Sequence, residues 1–152
     1  MTLPTPRTGI LQRRFGGPDA PILEQGDCWA TAVACYGGLT ERDRNELHRR
    51  LCLSAAALQR AGREDDGEWW EVSQRFLRGL RLPTLTVVEP SFVEANQEFV
   101  YMALGPSPRG DFNHQTLALG TGELFWDPHP SGDGVAEVTE WIAWYVPEEK
   151  AA

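Results

Sequence analysis

Cys28, His114 and Asp127 carry a nucleophile, a base and an orienting carboxylate within one chain of 152 residues. Cys28 sits in the run Gly26–Asp27–Cys28–Trp29–Ala30. Asp is a preferred N-cap, so this run predicts a helix with the thiol in its first turn. There, unpaired amide N–H groups and the positive end of the helix dipole favour thiolate, which is the attacking form of cysteine. His114 opens the way into the apolar run Leu117–Ala118–Leu119, directly after a polar loop. Asp127 closes the next run, Leu124–Phe125–Trp126. The intervening Gly120–Thr121–Gly122 predicts a hairpin turn, which sets the start of one strand beside the end of the next. His114 and Asp127 are therefore expected as neighbours, a base held by its orienter, and the chemistry is acyl transfer. Against this stand three plainer readings: a buried structural thiol, a loop-edge imidazole, and a turn carboxylate before Pro128.

The elements that must hold these groups follow from periodicity and punctuation. Residues 1–26 are rich in Pro and Gly and read as an extended arm; residues 27–152 read as a single domain. A helix is predicted over 27–39, stopped by Gly37–Gly38, with a second over 41–53 capped by Thr40 and a short third over 54–61. Trp69, Val72, Phe76 and Leu80 share one face of a further helix, 68–79. Strands are expected at 85–88, 99–104, 117–119, 124–126 and 141–146, with a short helix over 90–96. Helices come first and antiparallel strands second, so the class is α+β.

Composition narrows the function. The formal charge is −8, and the segment from Asp111 onward holds eight Asp or Glu against one Lys. Nucleic-acid binding needs clustered cations and is excluded on that ground. The acidic half reads as a solvated face, or as a preference for a basic peptide partner. No apolar run approaches the length of a membrane span, and no secretory h-region follows the N-terminal arginines, so a cytoplasmic protein is expected. Three cysteines suit that compartment, with Cys35 and Cys52 read as core. No Cys or His pair has zinc spacing, so neither metal nor cofactor is expected.

Trp29, Trp70, Arg109, Asn113 and His129 are the candidates for lining a substrate cleft. Arg109 stands in the rigid loop Gly105–Pro106–Ser107–Pro108–Arg109–Gly110, where a guanidinium suits a carboxylate or phosphate of the substrate. A solvated surface Arg is the plainer reading there, and a rigid turn is the plainer reading of His129.

The order Cys28, Asn113–His114, Asp127–Pro128 resembles that of papain-like cysteine peptidases. Residues 14–134 also resemble small bacterial and phage proteins with a papain-like look, through Phe15–Gly16–Gly17–Pro18–Asp19–Ala20–Pro21, the Gly105–Gly110 loop and Asp127–Pro128–His129–Pro130–Ser131. The resemblance implies a Cys-bearing helix packed on a sheet that carries the His and its partner, and a thiol-dependent amide or isopeptide hydrolase acting on a peptide or protein. It also implies an oxyanion-hole Gln six residues before the Cys. Ile22 stands there, and Gln25 is the candidate that takes its place. That departure supports an alternative: a papain-like binding module without turnover, such as a phage or bacterial accessory factor.

Overall fold

The computed structural model describes residues 2–16, 26–64 and 66–147. Among these, three longer helices come first, α1 (Cys28–Tyr36), α2 (Glu41–Arg60) and α3 (Glu68–Gly79). The second half alternates β1 (Leu85–Val88), α4 (Pro90–Ala95), β2 (Val100–Pro106), β3 (Asn113–Leu119), β4 (Leu124–Trp126) and β5 (Glu140–Trp144). The five strands form one antiparallel sheet in the order β1-β5-β2-β3-β4. The α+β class read from the sequence holds.

Local chemistry explains most boundaries. Thr40 Oγ1 accepts from the Asp43 N–H while the Asp43 carboxylate accepts from the Thr40 N–H, a reciprocal cap that starts α2. The two helices expected over 41–53 and 54–61 are one, because no Gly or Pro interrupts them and Ala55–Ala57 favour helix. Tyr36 ends α1, and Gly38 then turns with φ +64° against the Thr5 carbonyl, 2.6 Å from where a Cβ would sit. β2 runs two residues past its expected end, to Pro106, and β3 begins at Asn113 rather than at Leu117. β5 closes at Trp144, before the expected Val146.

One apolar core draws on α1, α2, α3 and the sheet. Val33, Leu47, Phe76, Met102, Leu117 and Ile142 are buried there, and Cys35 is among them. Cys52 is also buried, as expected. The stripe on α3 buries only its middle, Val72 and Phe76; Trp69 and Leu80 at its ends stay exposed. α1 packs on β2 and β3, and α2 packs on α1 and α3.

The described part of the N-terminal arm is stitched to the body. Ile10 is buried, and its carbonyl accepts from Trp126 Nε1 at 2.8 Å. The Gln12 N–H donates to the Pro128 carbonyl, also at 2.8 Å. Asp27 occupies the N-cap position of α1 but does not cap it with its side chain. Its carboxylate turns to the arm instead. Oδ1 accepts from the Arg13 and Arg14 N–H groups at 3.2 and 3.3 Å, and Oδ2 pairs with the Arg14 guanidinium at 3.1 Å. The Arg44 guanidinium, wholly buried, lies 3.7 Å from the same oxygen. Arg44 also donates to the Leu11 carbonyl and the Thr31 hydroxyl, so arm, α1 and α2 meet at one ionic junction.

Removing one partner of a buried ion pair leaves the other charge unmet, so Asp27→Asn is expected to lower stability by about 3–5 kcal/mol. Glu41→Gln, at the exposed end of the same network, should have a far smaller effect. Urea unfolding of the two variants checks the contrast, and equal losses would contradict the assignment of Asp27 as the junction.

Candidate active site

His114 is the second residue of β3, paired in register with Gly105 of β2. A Cβ on Gly105 would stand 1.8 Å from the Glu137 carbonyl oxygen. The segment after β4 therefore crosses tightly over the end of β2, anchored by the Ala136 N–H on the Pro106 carbonyl. Asp127 follows the last residue of β4. The hairpin expected from Gly120–Thr121–Gly122 is present, with a register shift at Leu117/Ala118.

That hairpin brings His114 Nε2 to 2.6 Å from Asp127 Oδ1, with both side chains almost wholly buried. The carboxylate can only accept, so the imidazole donates through Nε2. Asp127 is itself held by its own loop. Its Oδ1 accepts from the His129 N–H at 2.9 Å and its Oδ2 from the Gly134 N–H at 2.7 Å. Burial alone would raise the Asp127 carboxyl; these donors and the neighbouring imidazole outweigh it and hold it below its ordinary value.

The Cys28 thiol is a further neighbour of this imidazole. Cys28 is the first residue of α1, and α1 packs on β2 and β3. The Cys28 side chain lies near enough to raise His114, and with Nε2 given to Asp127 the ring nitrogen left for it is Nδ1. Burial acts to lower His114, but the hydrogen bonds and charges of Asp127 and Cys28 prevail and push it up to about 9. The structure thus brings together the three residues expected to do chemistry. Cys28 is half-buried, whereas Cys35 and Cys52 are buried. Burial raises the Cys52 thiol and pushes that of Cys35 up to about 11. Cys52 has its own imidazole neighbour, His48 Nε2 at 3.4 Å, inside the α2 interface.

The other candidates divide. Trp29 and Trp70 pack against the core edge with Trp69. Trp29 lies edge-on to Trp69 at 4.8 Å and 6.2 Å from Trp70, and it donates Nε1–H to Ser73 Oγ at 2.9 Å. They fasten α3 to the first turn of α1, one residue from the thiol. Asn113 is exposed at the start of β3. Arg109 donates to Ser131 Oγ at 3.1 Å. His129 is more than a rigid turn: its ring stands edge-on to that of His114, with centroids 6.2 Å apart. Phe15 in turn stands edge-on to His129 at 5.3 Å. Gln25 and Ile22 lie outside the described residues. Among the described residues no three His, Cys, Asp or Glu side chains converge as a metal ion would require.

Sequence reasoning missed the buried network of Asp27, Arg14 and Arg44 and the place of Phe15. Arg44 lies in the charged run Glu41–Arg50, where nothing in hydropathy marks one guanidinium as internal. Comparison with protein-family models, with curated proteins and with solved structures finds no match.

A proton held more tightly in the folded state than in the unfolded chain stabilises the fold. For His114 that stabilisation is complete below its ordinary value of 6.5 and is lost as pH rises through about 9. Unfolding free energy is therefore expected to fall across that window. Asp127→Asn should shrink the fall and His114→Gln should abolish it. Urea titrations at a series of pH values read the effect directly, and identical slopes in all three proteins would contradict the pairing.

Proposed function

We propose that this chain is a thiol-dependent amide or isopeptide hydrolase of papain-like architecture, working through Cys28, His114 and Asp127. The observation that carries the reading is the buried His114–Asp127 hydrogen bond, with a half-buried thiol at a helix start as a further neighbour of the same imidazole. A helix bearing the cysteine and packed on the strands that carry its base supports the architecture.

The chemistry follows from the roles. His114 takes the Cys28 proton, and the sulfur attacks the substrate carbonyl carbon as the C=O pair moves onto oxygen. The Cys28 backbone N–H, at the start of α1, is suited to receive that negative charge, and Gln25 is the proposed second donor. His114 then gives its proton to the leaving nitrogen, the C–N bond breaks, and a thioester remains on Cys28. Water, deprotonated by His114, attacks the thioester and releases the acid and the thiol. Asp127 holds the imidazole in the tautomer that directs Nδ1 to sulfur and offsets its positive charge. This orientation reverses the one in serine peptidase triads, where Nδ1 faces the carboxylate.

A nitrophenyl ester, an activated acyl donor that asks little of substrate recognition, tests the reading. A burst of nitrophenol should accompany an acyl adduct on Cys28, found by peptide mass mapping, followed by steady turnover. Cys28→Ala should abolish both, and His114→Ala should slow acylation by roughly 10²–10⁴-fold. Turnover that survives Cys28→Ala would overturn the assignment. A folded protein with no adduct on Cys28 would favour the binding-module reading.

A further inference from the structure

Arg109 is the one Lys or Arg between Arg81 and Lys150, in the acidic half of the chain. Its loop is fixed. The Ser107 N–H donates to the Phe112 carbonyl at 2.8 Å, and Ser107 Oγ accepts from the Arg109 N–H at 3.1 Å. The guanidinium is tethered by one nitrogen to Ser131 Oγ, and no carboxylate among the described residues lies within ion-pair distance of it. A planar fork with most of its donors unspent matches a carboxylate.

The same serine sets the state of His129. Ser131 Oγ accepts from Arg109 and from the Asp133 N–H, so its own hydroxyl proton is free to go to His129 Nδ1, 2.9 Å away. The Ser131 N–H also points at Nδ1, at 3.0 Å. With Nδ1 accepting, the ring proton sits on Nε2, a second donor for an anion. Burial, then the Arg109 charge, lowers the His129 imidazole, with the His114 charge acting the same way and Asp127 and Asp133 acting against them. Arg109, Ser131, His129 and His114 form a connected series that leads from a lone cation to the catalytic base.

We propose that Arg109 and His129 form a carboxylate subsite on the leaving-group side of Cys28 and His114, so that the amide cleaved carries a carboxylate on its amine portion. The inference rests on the amide-hydrolase reading. His114 must protonate the leaving nitrogen, so that part of the substrate passes over the imidazole, and His129 is the ring beside it. A released amino acid, or an acidic residue just after the scissile bond, is the class that fits.

Two aromatic disulfides test this without knowledge of the substrate. Cys28 attacks one sulfur, a protein–aryl disulfide forms, the original S–S bond breaks and an aryl thiolate leaves with the electron pair. With dithiobis(nitrobenzoate) the leaving group carries a carboxylate; with dithiodipyridine it carries none. Mass mapping confirms Cys28 as the modified residue, and the ratio of the two rates is the readout. Arg109→Gln should lower the anionic-to-neutral ratio about tenfold, the scale of a hydrogen bond to a charged group. Arg109→Lys, which keeps charge but not the fork, should fall between. An unchanged ratio in Arg109→Gln, with Cys28 still fast toward the neutral disulfide, overturns the subsite and spares the hydrolase reading. A slow Cys28 with both disulfides in the unaltered protein overturns the hydrolase reading and the subsite together.

Discussion

The Asp27 carboxylate, 1% exposed, has two guanidinium groups and two backbone N–H groups around it, one residue before the thiol. Such a group is stable inside a protein only with its partners in place. Arg14 comes from the arm and Arg44 from α2, so the start of α1 is fixed from two sides. Arg44 spans the junction through the Leu11 carbonyl and the Thr31 hydroxyl, and Thr31 in turn donates to the Asp27 carbonyl. The position of the Cys28 sulfur is thus set by charge pairing at the helix start, not by the apolar stripe of α1 alone.

The sheet positions the other half of the site by a different means. β3 is flanked by β2 and β4, and His114 is held near its start by pairing with Gly105 in the β2 ladder. The loop after β4 folds back and spends its own N–H groups on Asp127, so the carboxylate is oriented by residues 129 and 134 as well as by the imidazole. Rings from His129 and Phe15 stand in series beside the pair. The arm therefore meets both halves: its Arg14 holds the cysteine helix, its Phe15 contacts the histidine side, and its Ile10 carbonyl takes the Trp126 N–H.

How much of this was legible depended on whether local rules set it. The hairpin at Gly120–Gly122 is a local signal, and it sufficed to pair His114 with Asp127 across thirteen residues. The helix carrying Cys28 was legible from Asp27 and Gly37–Gly38, although Asp27 does something other than capping. What sequence could not show is long-range. Arg44 is one of four arginines in the ten residues from Glu41, and only the docking of the arm selects it for burial. His129 looked like a turn residue because its contact is with a residue fifteen positions away. Trp29 and Trp70 are cleft-lining candidates by sequence; what sequence did not show is that Trp29 donates to Ser73 and stands edge-on to Trp69.

The central claim is that one of three cysteines is activated by His114. The most direct measurement is the rate of alkylation of each cysteine by iodoacetamide at neutral pH, read by peptide mass mapping in one reaction. Cys35 and Cys52, both buried, act as internal controls. Cys28 should react far ahead of them, and His114→Gln should remove most of that lead. Three equal, slow rates that ignore the state of His114 would contradict the claim.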